Sequence, residues 1–429
     1  MSKTNGQTAT PETAPRRFAA LDSWRGICAV FVALYHVEVI GEIYAGDFRD
    51  VRVISNAYLF VDFFFVLSGF VIAHSYQSRI ASVEDVVSFA IRRFGRVWPL
   101  HMAVLLAFIA LEFTKLFARA HGVETETAPF SGSFTVPAIV TNILLVQSFG
   151  LHSVLTWNPP SWSIGVEFYT YLVFAVLVLV WHGRITGISL LTAITGAFVV
   201  GVCSHNYMRT TFDYGFFRCL DGFFVGLLVH RLYLYLSGRK LRAITPFSAT
   251  ALEITVIVAV IWFVSAADAR PISLLSPLIF GAAVFGFALE RGAISRVLLT
   301  RAFRAAGAWS YSIYMTQAFL LIMMARIIRL LQVHVGGPNH IEATVEGFQE
   351  PLLWLGSRWS ADALVLLYLG LLLVAASITY RFIENPGRAF FNVLAVRVER
   401  RMKRPAAPRY RVMRNSAAMI ARDTPPDRP

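Results

Sequence analysis

Long apolar runs separated by short polar segments divide this chain into regular blocks. About 20 consecutive apolar residues are enough for a helix to cross a bilayer. Ten runs approach or exceed that length, near residues 18–43, 57–76, 97–117, 162–182, 185–204, 214–236, 247–265, 272–290, 307–331 and 361–382. The pattern predicts an all-α integral membrane protein with about ten transmembrane helices.

An eleventh apolar segment, residues 134–150, is shorter and contains Pro137, Asn142 and Gln147. If it does not cross the membrane, the loops on the same side of the membrane as the N-terminus hold twelve Lys and Arg residues, and the loops on the opposite side hold seven. If it crosses, eight of those twelve and the basic C-terminal segment change sides. Because cytoplasmic loops carry the excess of Lys and Arg, we predict a re-entrant or interfacial segment near 134–150 and both termini in the cytoplasm.

Composition supports a single membrane domain. Hydrophobic residues make up 56% of the chain and charged residues 15%, whereas soluble domains carry about 25% charged residues. We predict a transmembrane domain over 18–386, a disordered N-terminus over 1–17 and a disordered, basic cytoplasmic tail over 387–429. The tail has eleven basic and three acidic residues, a net charge of +8, which suits an anionic membrane face. No folded basic module accompanies it, so nucleic acid is not an expected partner.

Targeting and cysteine patterns add little further structure. The first apolar run lacks a small-residue cleavage pattern, which indicates an uncleaved first helix. Cys28, Cys203 and Cys219 have no paired spacing. The sequence therefore predicts neither a disulfide framework nor a metal site.

Ionisable residues inside the apolar runs are functional candidates, because lipid penalises buried charge. Arg25 and His36 are eleven residues apart, so they share one face of the first helix at a separation of about 16.5 Å along its axis. Asp62 and Glu167 each lie about five residues inside the outer end of a predicted span. We therefore expect His36, Asp62 and Glu167 in one outer layer. Arg25, Arg93 and Arg96 would form an inner basic lining.

Each of these candidates also has a structural interpretation. His36 could hydrogen-bond another helix, and Asp62 could pair with Arg25 or Arg218. The arginines at 92, 93 and 96 could serve as positive-inside anchors, and Trp157 and Trp162 could belong to an interfacial aromatic belt. Composition and depth do not separate an enzyme from a transporter.

Seven motifs carry a family resemblance, in the order LDSWRGICAVFVALYHV, VDFFFVLSGFVIA, RRFGRVWPL, WNPPSWSIGVEFYTYLV, RCLDGFFVGLLV, SYSIYM and FIENP. Together they resemble the membrane-bound acyltransferase-3 family, whose members acylate bacterial surface polysaccharides and related acceptors. The residues that match the family pattern are Arg25, His36, Asp62, Phe64, Phe65, Ser68, Gly69, Phe70, Arg93, Arg96, Pro99, Trp162, Ser163, Glu167, Arg218, Gly226, Ser310, Tyr311, Ser312, Tyr314, Glu384 and Pro386. The match departs at Gln317, where many relatives have His.

The resemblance implies an O-acyltransferase of the bacterial inner membrane. Its donor would be a cytoplasmic acyl-CoA, most simply acetyl-CoA, acting as a co-substrate, with no permanently bound cofactor. The acceptor would be a hydroxyl of a glycan or a lipid-linked saccharide, and membrane lipids would surround the protein. No C-terminal hydrolase-like domain is expected here, so direct transfer or a partner protein would complete the reaction. Neither the acceptor's identity nor the oligomeric state is indicated.

The resemblance also implies residue roles. Arg25, Arg93 and Arg96 would bind the donor phosphates. His36 would act as a general base or take the acyl group itself, and Asp62 or Glu167 would fix its tautomer. The supporting residues would be Ser68, Trp162, Ser163, Arg218, Tyr311 and Tyr314. The competing function is a transporter or flippase of a glycan or anionic solute, which predicts inverted repeats, and no convincing repeat is found in the sequence.

Overall fold

The computed structural model describes residues 17–125, 127–237, 244–335, 340–346 and 348–403. The predicted disorder of residues 1–16 and 404–429 lies outside the described residues.

Helices account for all ten predicted spans. The helices are α1 (Ala19–Val39), α2 (Arg52–Ser55), α3 (Phe60–Tyr76), α4 (Val83–Ala120), α5 (Val136–Ile143), α6 (Trp162–Trp181), α7 (Ile185–Cys203), α8 (Gly215–Leu236), α9 (Pro246–Ala267), α10 (Ser276–Ala288), α11 (Ala293–Leu298), α12 (Arg301–Val335), α13 (Arg358–Thr379) and α14 (Asn385–Met402). Short 3₁₀ turns lie at Gly46–Asp50, Ala57–Leu59, Gly132–Phe134, Pro159–Ser161, His182–Arg184, Tyr207–Arg209 and Pro271–Leu275.

The helices are long and apolar enough to confirm an all-α integral membrane protein. Among the described residues, eight stretches of helix meet the length and hydropathy needed to cross a bilayer. One of these stretches, Pro159–Cys203, holds both α6 and α7, and another, Arg358–Met402, holds α13 and α14. The 21-residue helix α1 carries Asp22, Arg25 and Glu38, and it packs in the interior of the bundle against α12 and α3.

Close helix packing at glycines fixes the neighbours of the central helices. A Cβ added at Gly26 of α1 would lie 2.6 Å from the Ala306 carbonyl carbon of α12. A Cβ at Gly226 of α8 would clash with the Val66 carbonyl oxygen of α3. Small residues at such contacts let helix backbones approach within the membrane. We call the side of the bundle on which α1 begins the near side, and the opposite side the far side.

The segment at 134–150 doubles back within the bundle and does not span it, which agrees with the predicted re-entrant or interfacial segment. Its one α-helix, α5, has eight residues, too few to cross a bilayer. The chain runs down beside α4, where Trp98 Nε1 donates to the Ile143 carbonyl oxygen at 3.1 Å. It then returns to where it entered, since the Trp157 backbone N–H donates to the Ser133 carbonyl oxygen at 3.1 Å. Both arms therefore open on the far side.

The prediction of disorder from residue 387 is wrong for the part of the tail that the structure describes. Residues Asn385–Met402 form α14, which continues α13 through a π-helical turn at Tyr380–Glu384. α14 packs along α4: Gly387 lies on Pro99, and Phe391 covers Gly95. This segment forms a packed helix because Gly387, Phe391 and the fully buried Ala395 are four residues apart and therefore lie on one helix face.

A β-hairpin that the apolar pattern did not predict covers part of the far side. Strand β1 (His340–Val345) pairs antiparallel with β2 (Phe348–Leu353). The hairpin joins the bundle where the Tyr44 backbone N–H donates to the Leu353 carbonyl oxygen at 3.1 Å. Its turn brings Glu346 to the Tyr35 hydroxyl at the far end of α1.

The re-entrant segment predicts a labelling pattern. In a background without Cys28, Cys203 and Cys219, single cysteines at Ser131 and Ser153 should react with a membrane-impermeant thiol reagent from the same side. A cysteine at Ser237, at the near end of α8, should react from the other side. If Ser153→Cys reacts from the same side as Ser237→Cys, the segment crosses the membrane and the helix order is wrong.

Candidate active site

A cavity of about 110 Å³ lies among α1, α3, α4, α6 and α12. We call it the near-side cavity, because its α1 residues are Asp22 and Arg25, close to the beginning of that helix. The other predicted site residues in its wall are Ser68, Arg93, Arg96, Ser163, Glu167, Tyr311 and Tyr314. The structure therefore brings eight of the twelve predicted site residues, Arg25 included, to one cavity.

Arg25 and Glu167 face this cavity without a neutralising partner. Arg25 forms no hydrogen bond or ion pair with any residue in the described part of the chain. Glu167 forms no ion pair with a described residue either, and its carboxylate lies near the Tyr171 hydroxyl. Because charge inside a membrane protein is costly unless it is paired or solvated, these two groups mark the place where a polar ligand or water is needed.

Arg93 and Arg96, one turn apart on α4, are held by neighbouring groups. Arg93 donates to the Tyr76 hydroxyl at 3.1 Å, and its guanidinium lies 5.1 Å from the centre of that ring. Arg96 forms an ion pair with Glu384, which is 1% exposed. The Arg93 Nε atom is buried and has no hydrogen-bond partner among the described residues. Arg93 therefore keeps a donor for a ligand, whereas Arg96 is largely committed to Glu384.

The hydroxyl groups of the wall form a second set of contacts. Ser68 Oγ lies 2.8 Å from the Tyr171 hydroxyl, and Ser163 Oγ lies 2.9 Å from the Tyr314 hydroxyl. The Tyr311 hydroxyl donates to the Val97 carbonyl oxygen. Its one proton is used there, so Tyr311 positions Arg96 and α4 and is not a free donor to a reacting oxygen.

Asp62 does not pair with His36, contrary to one expectation. Its carboxylate accepts two hydrogen bonds from Arg218, at 2.7 and 3.0 Å, and one from Ser276 Oγ at 3.1 Å. Both members of the pair are buried, with side-chain exposures of 0% and 1%. Arg218 also lies 5.3 Å from the centre of a ring of Trp162. The alternative interpretation of Asp62, an interhelical partner of Arg218, is the one that the contacts support.

His36 lies beyond the near-side cavity, toward the far side. The Gln317 side chain contacts its imidazole, and Gln317 Nε2 donates to the Tyr314 carbonyl oxygen at 3.0 Å. His36 Nδ1 is buried and has no hydrogen-bond partner among the described residues. Tyr314 packs edge-to-face on Phe64, with ring centres 5.9 Å apart. Both rings line the near-side cavity, and Tyr314 precedes Gln317, the neighbour of His36, by one turn of α12.

The expected outer layer of His36, Asp62 and Glu167 is therefore wrong. Glu167 lines the near-side cavity with Arg25, Arg93 and Arg96. Counting residues from the start of α6 predicts a position near the far side, but α6 begins inside the bundle, after the re-entrant segment. At that start, Asn158 Nδ2 donates to the Met315 carbonyl oxygen of α12 at 3.1 Å. No carboxylate forms an ion pair with His36 in the described part of the chain.

Two contacts of the site were not assigned from the sequence. Glu384 anchors Arg96 and also accepts a hydrogen bond from Ser312 Oγ at 2.7 Å. Glu384 lies in the FIENP motif and Ser312 in the SYSIYM motif, so the presence of both motifs is the sequence signal for this contact. Gln317, noted only as a departure from the family pattern, is the polar neighbour of His36. Over the described residues, no group of three or more His, Cys, Asp or Glu is arranged to hold a metal ion.

Comparison with known proteins gives a family match over most of the chain. A family model described as an acyltransferase domain matches residues 18–381. "Protein 2 in picA locus" of Rhizobium radiobacter is 30% identical over 172 residues, which are 38% of this chain and 84% of that protein. "Acyltransferase MdmB" of Streptomyces mycarofaciens is 34% identical over 116 residues, which are 27% of this chain and 26% of that protein. No solved structure matches the chain.

The contacts of Asp62 and Glu167 predict a large loss of stability on substitution of Asp62 and little change on substitution of Glu167. Asp62→Ala leaves the Arg218 charge buried and unpaired, which costs about 3–5 kcal/mol. Glu167→Gln removes a charge that has no ion pair, and it should unfold within a few degrees of the unsubstituted protein. Thermal unfolding of the purified proteins in detergent tests both. Equal midpoints for Asp62→Ala and the unsubstituted protein would show that the Arg218 pair is not structural.

Proposed function

The chain belongs to the acyltransferase-3 family, and from this premise we propose that it is an O-acyltransferase using an acyl-CoA donor, acetyl-CoA in the simplest case. The near side is the cytoplasmic side of a bacterial inner membrane, and both termini lie there. The acceptor is a hydroxyl group of a glycan or a lipid-linked saccharide that approaches from the far side. The observation that carries this proposal is the unpaired Arg25 in a cavity on the same face of α1 as His36.

The cationic wall of the near-side cavity suits an anionic thioester donor. Guanidinium groups bind phosphate through several planar donors, and Arg25 and Arg93 both have donors free for a ligand. A cavity of about 110 Å³ admits the narrow thiol-bearing arm of coenzyme A and excludes its nucleotide. The nucleotide therefore stays on the near side, and the acyl end points along α1 toward His36.

His36 is the general base of the proposed reaction. The neutral imidazole takes the proton of the acceptor hydroxyl while that oxygen attacks the thioester carbonyl carbon. A carbon–oxygen bond forms and the carbon–sulfur bond breaks. The coenzyme A thiolate then takes the proton from the imidazolium, so the products are an acyl ester and free coenzyme A. Gln317, the side chain next to the imidazole, orients the ring through its amide and cannot accept the charge.

In the proposed reaction, the Phe64 and Tyr314 rings, which line the cavity, separate to let the acyl group pass to His36. Their edge-to-face contact is worth about 0.5–1.5 kcal/mol beyond the area that it buries. Such a contact is weak enough for the donor's binding energy to displace it. The two rings would then part only when a donor is bound. Without a donor they would stay together and keep water away from the path of the thioester.

His36→Ala should abolish acyl transfer and leave the protein folded. General-base help is worth about 10²–10⁴-fold in rate, so we expect a loss of at least a hundredfold in membranes supplied with acetyl-CoA. His182→Ala, which removes an exposed histidine outside the near-side cavity, is the matched control and should behave as the unsubstituted protein. Acetylation of surface glycans, followed by mass spectrometry, gives a second readout. Turnover by His36→Ala within about tenfold of normal would exclude His36 as the base.

Arg93→Ala should weaken donor binding, whereas Arg92→Ala should not. Losing a hydrogen bond to a charged group costs about 1.5–3 kcal/mol, which corresponds to a rise of roughly tenfold or more in the KM for acetyl-CoA. Arg92 is adjacent in sequence but lies toward Glu399 at 3.9 Å, away from the cavity. Equal KM values for the two variants, at equal expression, would reduce Arg93 to a topological anchor.

A further inference from the structure

A second cavity, of about 660 Å³, opens on the far side of the bundle. We call it the far-side cavity. Four arginines and three carboxylates line it, a formal excess of one positive charge; the charged residues are Arg49, Arg52, Arg209, Arg270, Glu38, Asp268 and Glu346. Its volume is typical of cavities that bind a small ligand, about 300–1,000 Å³.

The ion pairs of the far-side cavity leave two arginines without an acidic partner. Arg49 donates to both oxygens of Glu38, at 3.0 and 2.9 Å. Arg209 lies 3.3 Å from Asp268 and 3.8 Å from Glu346. Arg52 and Arg270 form no ion pair with any described residue. These two cations are available to an anionic group of a ligand.

An apolar groove of about 120 Å³ lies among α1, α3, α9 and α10, deeper in the membrane. We call it the apolar groove. Phe31, Val260 and Ala283 line it, together with Ile261, whose side chain is 50% exposed on the outer surface of the bundle. Ile261 therefore belongs both to the groove wall and to the outer surface of a membrane-spanning helix. This position favours entry of a hydrocarbon chain sideways from the bilayer.

The groove and the far-side cavity lie end to end along one face of α1. Trp24, Ile27 and Phe31 line the groove. Leu34 and Glu38, which continue the same three- or four-residue spacing, line the far-side cavity, so the two sites share about 21 Å of helix. The residues of α2 are shared between the two sites in the same way: Val53 lines the groove, and Arg52 and Ser55 line the cavity.

We propose that the groove and the far-side cavity together form the binding site of an amphiphilic acceptor, a saccharide carried on a single long hydrocarbon chain through a phosphate. The narrow groove suits one chain better than the two of a phospholipid. Arg52 and Arg270 would bind the phosphate, and the amide and hydroxyl groups of Asn56, Asn206 and Thr344 suit sugar hydroxyls. This inference rests on the proposed acyl transfer, of which it names the acceptor class.

The position of Tyr35 connects this site to the proposed base. Tyr35 lines the far-side cavity, and its ring centre lies 5.1 Å from the centre of the His36 ring. Tyr35 therefore contacts both the far-side cavity and the His36 ring. Its hydroxyl is hydrogen-bonded to Glu346 in the hairpin turn, so a headgroup that displaces Glu346 would also free the Tyr35 ring to move.

The test is binding of a long-chain polyprenyl phosphate by the full chain in nanodiscs of zwitterionic lipid. We expect saturable binding that polyprenol, inorganic phosphate and phosphatidylglycerol do not compete away at equal concentration. The Arg52→Ala, Arg270→Ala double variant should weaken it about tenfold, and Ala283→Phe, which fills the groove, should weaken it comparably. The matched controls Arg358→Ala, on the far side but outside the cavity, and Ala282→Phe, an exposed position on α10, should bind normally.

Competition by the other ligands, or no effect of the substitutions, would overturn the inference. Equal competition by phosphatidylglycerol means an ordinary lipid contact, and equal competition by inorganic phosphate means a soluble anion site. The experiment also separates the two proposals, because His36→Ala should bind the polyprenyl phosphate normally. Acylation of a water-soluble glycan without polyprenyl phosphate binding refutes the inference and leaves acyl transfer standing. Binding without acyl transfer to any acceptor refutes the proposed function instead.

Discussion

Charge inside the membrane layer has to be paired or solvated, and the way this chain meets that requirement decides which groups remain for chemistry. Asp62 is neutralised by Arg218, Arg96 by Glu384, and Lys115 by Glu112. Within the described part of the chain, Arg25, Arg93 and Glu167 form no ion pair, and all three face the near-side cavity. Asp221 also lacks a partner among the described residues, but it lies against Gly196 of α7, away from both cavities.

The paired charges also hold the walls of the site in place. Arg218 donates to the Tyr58 carbonyl oxygen as well as to Asp62, so the pair ties α8 to the far end of α3. Glu384 sits where the π-helical turn joins α13 to α14, and its bonds to Arg96 and Ser312 bring α4 and α12 together. π-helical turns occur often at functional sites. Here the turn places one carboxylate against two helices that line the cavity.

The sequence predicted the spans and the re-entrant segment because both follow from local properties, namely apolar length and the distribution of arginines. Depth within the bundle does not follow from local properties. Counting residues from the end of a run assumes that every helix starts at the membrane surface, and α6 does not. Partner choice is also non-local, since Asp62 and Arg218 are 156 residues apart. One signal was available for that contact: Gly222 and Gly226 have the G-x-x-x-G spacing of close helix pairs, and both pack on α3.

Helix α1 is a wall shared by the two cavities, so in the proposed reaction one helix would face both substrates. Arg25 and His36 share a face that points to the near-side cavity and the space beyond it. Trp24, Phe31 and Glu38 lie on a face roughly 120° away, which lines the groove and the far-side cavity. In the proposed reaction a donor and an acceptor would therefore bind at the same time without competing for space. They would meet at the far end of α1, where the Tyr35 ring, which lines the far-side cavity, lies beside the His36 ring. Transfer across the membrane would then need the movement of a few rings, Phe64 and Tyr314 on the donor side and Tyr35 on the acceptor side, and no rearrangement of the helices.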